Sequence, residues 1–129
     1  MKTETVIMLS AAIEAATGLA AIASPSLVVR YLLGAELSAG GAAIGRVAGV
    51  ALVSLAIACW ASPKGVLPQT IRSLLVYNFS VGAYLGFLRI NRDFGSNLLW
   101  PACAIHLVFA ILLARPALQN PYVEKLRRS

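Results

Sequence analysis

Four polar side chains stand where an apolar chain would least tolerate them: Glu14, Arg46, Asn78 and His106, each inside its own long apolar run. Ionisable groups at the centre of a membrane helix cost about 2.5–3.5 kcal/mol on insertion scales, and they usually face a bundle interior. One such residue per run is the pattern of a shared polar site between four helices. Glu14 is too deep to snorkel, so it is expected to be protonated, paired or functional. A Glu14–Arg46 ion pair would make both charges tolerable, because their depths differ by about 10 Å at helical rise and both side chains are long. The alternative for Arg46 is snorkelling to the outer headgroups. Asn78 and His106 serve equally as interhelical hydrogen-bonding glue. Tyr77, beside Asn78, is a further candidate for the lining of a ligand site.

Small residues repeat at helical spacing around these groups. Ser10, Glu14, Thr17, Gly18 and Ala21 fall on one face of a helix. Asn78, Gly82 and Gly86 fall on another, and Cys103, His106 and Ala110 on a third. Gly41, Gly45 and Gly49 form a doubled GxxxG, which allows close approach of a second helix within the bundle or across a homodimer.

The elements that must position these residues follow from composition. The chain has 129 residues, 59% hydrophobic and only 12% charged. Soluble domains carry about 25% charged residues, so lipid is the expected solvent. A span needs roughly 20 apolar residues. Four are expected, at about 6–23, 41–61, 71–90 and 97–114, leaving a basic tail at 115–129. The fold class is therefore an all-α integral membrane four-helix bundle in one domain. The first span stops at Ser24-Pro25, and Ser26 to Gly34 reads as a short helix lying in the interface. Ser96 or Asn97 caps the fourth span, with Pro101 in its first turn and Arg115-Pro116 closing it. Lys2 and Ala21-Ile22-Ala23 imitate a signal peptide, but Glu14 interrupts the apolar run, so the first span is expected to remain.

The net charge of +6 is spread between apolar runs, which argues for topology and against nucleic acid as a partner. Lys2, Lys64, Arg72, Arg115, Lys125, Arg127 and Arg128 share one side; Arg30, Arg46, Arg89 and Arg92 share the other. The positive-inside rule then puts both termini in the cytoplasm, in a bacterial inner membrane. Tyr31, Trp60, Tyr77, Tyr84, Phe87, Phe94 and Trp100 read as aromatic belts, mostly near span ends, with a site lining as the alternative for Tyr77. Cys59 and Cys103 are expected about 15 Å apart in depth, beyond disulfide reach. There is no HExxH, CxxC or acidic metal cluster, no phosphate-binding loop and no nucleophile elbow. No metal is expected, and no catalytic residue stands out. A membrane enzyme using His106 with Glu14 as acid–base partner requires the two within hydrogen-bond reach.

The Gly34 turn, Gly45-Arg46-Val47-Ala48-Gly49, Tyr77-Asn78, Trp100-Pro101 and His106 resemble the pattern of the DoxX-like group of small four-helix bacterial membrane proteins. That resemblance implies an accessory membrane subunit of a quinone-linked oxidoreductase. Glu14 alone is similar to the membrane glutamate of small multidrug resistance transporters, which exchange protons for cationic drugs; an arginine nearby would repel such a substrate. The leading expectation is a non-enzymatic protein that binds a quinone, a lipid or a membrane-protein partner. The alternative is a proton-coupled transporter in which Glu14 titrates.

Overall fold

A computed structural model describes residues 2–60, 67–91 and 94–119. The chain order is α1 (Thr3–Ala23), α2 (Pro25–Leu33), α3 (Ala39–Cys59), α4 (Pro68–Ile90) and α5 (Leu99–Leu118), and the described residues are otherwise turns and extended links. All four long helices, α1, α3, α4 and α5, are long and apolar enough to cross a membrane. The expected turn at Lys64-Gly65, Arg92 and the basic tail from Tyr122 onward lie outside the described residues.

The helix boundaries have local causes. Pro25 ends α1 and opens α2 at a position where its missing N–H costs nothing. Gly34 closes α2 with φ 73°, the left-handed conformation that suits glycine, and its N–H bonds the Arg30 carbonyl. The Ser38 hydroxyl caps α3 by accepting from the Gly41 N–H at 3.1 Å. Pro68 stands inside the first turn of α4, so that helix begins three residues before the expected Ile71. The Ser96 hydroxyl accepts from the Leu98 N–H ahead of α5. Pro116 does not close α5 as expected: the helix runs on to Leu118. The Arg72 guanidinium donates to the Ala117 carbonyl at 3.3 Å, tying that last turn to the start of α4.

The bundle is two pairs. α1 packs along α3, and α4 packs along α5. The first pair closes at Gly18 and Gly49, where a methyl added to either would lie 2.7 or 2.6 Å from the other's carbonyl oxygen. The second closes at Gly82, which lies against Leu107, with the Cys103 thiol donating to the Gly82 carbonyl. Gly45 meets Pro25 of α2, and Gly86 meets the Cys103 sulfur. The nearest atoms to Gly41 belong to Leu37 and Ser38, just ahead of its own helix, whereas Gly45 and Gly49 of the expected glycine ridge meet α2 and α1.

At the end holding the N-terminus of α1, all four long helices converge on Val6, Ile7, Ala56, Cys59, Leu74, Phe109 and Leu113. At the other end a smaller cluster of Leu85, Leu99 and Cys103 joins α4 to α5, with Leu33 of α2 packed against it. The short helix α2 touches α1, α3 and α5 and so bridges the two pairs there. The Ser96 hydroxyl latches it by donating to the Tyr31 carbonyl. The free thiols of Cys59 and Cys103 are buried in these two separate clusters.

Candidate functional site

Between the two clusters the helices present a polar layer instead of an apolar one. Ser10, Glu14 and Asn78 are almost wholly buried, with Glu14 only 2% exposed. Their helical register explains it: Ser10 and Glu14 lie one turn apart on the inner face of α1, while Asn78 lies one turn from Leu74 on the inner face of α4.

Asn78 organises half of the layer. Its amide nitrogen donates to the Leu74 carbonyl at 2.9 Å and to the Ser10 hydroxyl at 3.2 Å. The Leu74 carbonyl accepts only, which fixes the amide orientation. The Asn78 Oδ1 therefore faces His106 Nδ1, 2.9 Å away, and that nitrogen must carry the proton. In a neutral ring Nε2 is then an acceptor. Ser10 on α1, Asn78 on α4 and His106 on α5 are joined in one chain.

Glu14 organises the other half. Its Oε2 accepts a 2.6 Å hydrogen bond from the Tyr77 hydroxyl. Its Oε1 is buried with no hydrogen-bond partner among the described residues. The Tyr77 and His106 rings meet edge to face, with centroids 5.9 Å apart. Glu14 and His106 thus bond adjacent residues of α4 and do not bond each other.

On the α2 side of this layer the helix pairs enclose a half-open cleft of about 650 Å³. Glu14, Tyr77 and His106 form its polar end. Its walls are apolar, with Val28 and Leu32 from α2, Ala48 and Leu52 from α3, and Leu85 and Ala102 from the second pair. Thr17 and Tyr31 add hydroxyls along the wall. Concave, mostly apolar sites of about 300–1,000 Å³ with a few convergent polar groups are the usual form of small-molecule pockets.

Of the residues expected to form a site, Glu14, Tyr77, Asn78 and His106 come together. Arg46 does not. It is exposed on α3 while its neighbours Gly45 and Ala48 reach the cleft, and its expected pairing with Glu14 is not formed. Sequence reasoning overlooked Ser10 as the partner of Asn78, although its place on the Glu14 face was visible. It also overlooked α2 as a wall of the cleft, for which the apolar Val28, Val29 and Leu32 were the available signal. Among the described residues no cluster of metal-ligating side chains occurs. The comparisons give no relative to consult: no protein family, curated protein or solved structure matches the chain.

Proposed function

We propose that this protein is a non-enzymatic, multi-pass membrane protein that binds a small amphipathic molecule in the cleft between its two helix pairs. One observation carries the reading: Glu14, a buried acid with one carboxyl oxygen unpartnered among the described residues, lines the end of an otherwise apolar cleft. A buried polar atom without a partner costs about 1–3 kcal/mol, and a bound polar head relieves that cost. Lipids and quinones have the required size, and a bilayer supplies both. A lipid head that donates partners the carboxylate, whereas a quinone carbonyl, which only accepts, requires the carboxyl group in its protonated form. The setting is a bacterial inner membrane with both termini cytoplasmic and α2 in the outer interface, supported by the Lys and Arg asymmetry. The DoxX-like pattern supports an accessory-subunit role.

Thermal unfolding of the purified protein with and without added membrane-lipid extract tests the reading, because a ligand that binds only the folded state raises its stability. Wild type is expected to gain thermal stability. Ala48→Trp, which fills the cleft from an exposed wall position, is expected to gain none. Equal responses in the two proteins contradict the reading.

A second reading, a proton-coupled transporter using Glu14, gains from the position of Arg46. Because that arginine lies outside the cleft lining, it does not guard Glu14 against a cationic substrate. This reading expects substrate-driven proton movement in liposomes that Glu14→Gln abolishes; wild-type liposomes without such movement contradict it.

A further inference from the structure

The donors and acceptors at the polar end of the cleft specify the ligand's head. Tyr77 spends its only O–H on Glu14. His106 spends Nδ1–H on Asn78, which leaves Nε2 with a lone pair. Asn78 spends both its donors and its acceptor inside the bundle. Among the described residues, what the lining side chains Glu14, His106 and Tyr77 leave uncommitted is the buried Glu14 Oε1 (which meets a ligand when the carboxyl group turns toward the cleft), the ring nitrogen of His106 and the second lone pair of the Tyr77 oxygen. With the carboxylate ionised, all three accept. A carbonyl head, which also only accepts, finds no donor there.

Charge points the same way. Among the described residues Glu14 is the one acid in the cleft lining, and no lysine or arginine joins it. Buried carboxylates are normally paired with a cation, and the described residues provide none in the cleft lining. The Tyr77 ring beside the carboxylate, and Tyr31 further along the wall, offer aromatic faces that attract cations.

We infer that the cleft takes a primary amine, bound as its ammonium, with a compact apolar body: the nitrogen donates to Glu14, Tyr77 and His106, and the body fills the space between α2, α3 and α5. The inference rests on the cleft being a ligand site and names the chemistry of the head.

Three probes sharing one cage separate the alternatives: 1-adamantylamine, 1-adamantanol and 1-adamantanecarboxylate. Each is measured by equilibrium dialysis against the protein in phosphatidylcholine nanodiscs, with empty nanodiscs subtracted. The amine is expected to bind about tenfold more tightly than the alcohol, the ratio that one charge-assisted hydrogen bond supplies, and the carboxylate least. Glu14→Gln, which retains an acceptor for Tyr77, is expected to remove the amine's advantage over the alcohol. Ala48→Trp is expected to remove binding of every probe. Alcohol binding equal to or tighter than the amine in wild type overturns the ammonium inference while the cleft reading stands. So does an amine advantage that survives Glu14→Gln. Failure of all three probes on wild type overturns both. The wild-type series alone decides the matter if Glu14→Gln does not fold.

Discussion

Asn78 is the residue on which the polar layer depends, since it bonds α1, its own helix and α5 at once. Asn78→Leu, close in size and without polar atoms, is expected to destabilise the protein by about 1–3 kcal/mol, because the Ser10 hydroxyl and His106 Nδ1–H lose their partner inside the bundle. Tyr77→Phe removes one hydroxyl and leaves both Glu14 oxygens bare. It is expected to lower thermal stability in detergent, whereas Tyr84→Phe, on an exposed part of α4, leaves it unchanged. Thermal unfolding checks all three, and an Asn78→Leu protein as stable as wild type contradicts the role given to the layer. Glu14, Asn78 and His106 were legible in the sequence because polar groups in apolar helices are costly enough to demand an explanation. Arg46 was not legible in the same way. Its long stem lets the charge sit away from its backbone, so its position on a helix does not reveal where the guanidinium resides.

At the scale of elements, the α1–α3 contact rests on mutual backbone approach at Gly18 and Gly49. Gly49→Leu places a side chain against the Gly18 carbonyl, 2.6 Å from the first added carbon, with Ile22 also within 2.9 Å. The helices must part, and overpacking of this kind costs about 1–3 kcal/mol. Gly40→Ala meets open space and is expected to leave stability unchanged or slightly higher. Equal unfolding temperatures for the two variants would contradict close packing at Gly49. The four long helices could be read from apolar run length. Their ends could not be read as well, because proline is ambiguous from sequence. Pro68 opens a helix, and Pro116 is carried within one whose last turn Arg72 holds. The short helix α2 was anticipated, but its contribution to a cleft wall depends on which helices pair, and no local pattern encodes that.

For the whole molecule, the arrangement is a bundle drawn together at one end by a shared apolar core and held apart toward the other, where α2 bridges the pairs. The polar layer lies where the core gives way to the cleft, so the same side chains tie the pairs together and line the site. Run length and helical periodicity disclosed four helices and their inner faces. The pairing of α1 with α3 and of α4 with α5 was not disclosed, because small-residue faces fit several partners. The proposed orientation has its own check: reporter fusions at either terminus are expected to score cytoplasmic, and one in the segment between α2 and α3 to score external. Any other pattern contradicts the orientation without touching the cleft.

The cleft is the central claim, and native mass spectrometry of the protein released from lipid nanodiscs tests it most directly, since bound mass is read without knowing the ligand beforehand. Wild type is expected to carry a discrete added mass that Ala48→Trp lacks, with both proteins unfolding at the same temperature once stripped of ligand in detergent. Bare polypeptide from both, or the same added mass on both, would contradict a ligand site between the helix pairs.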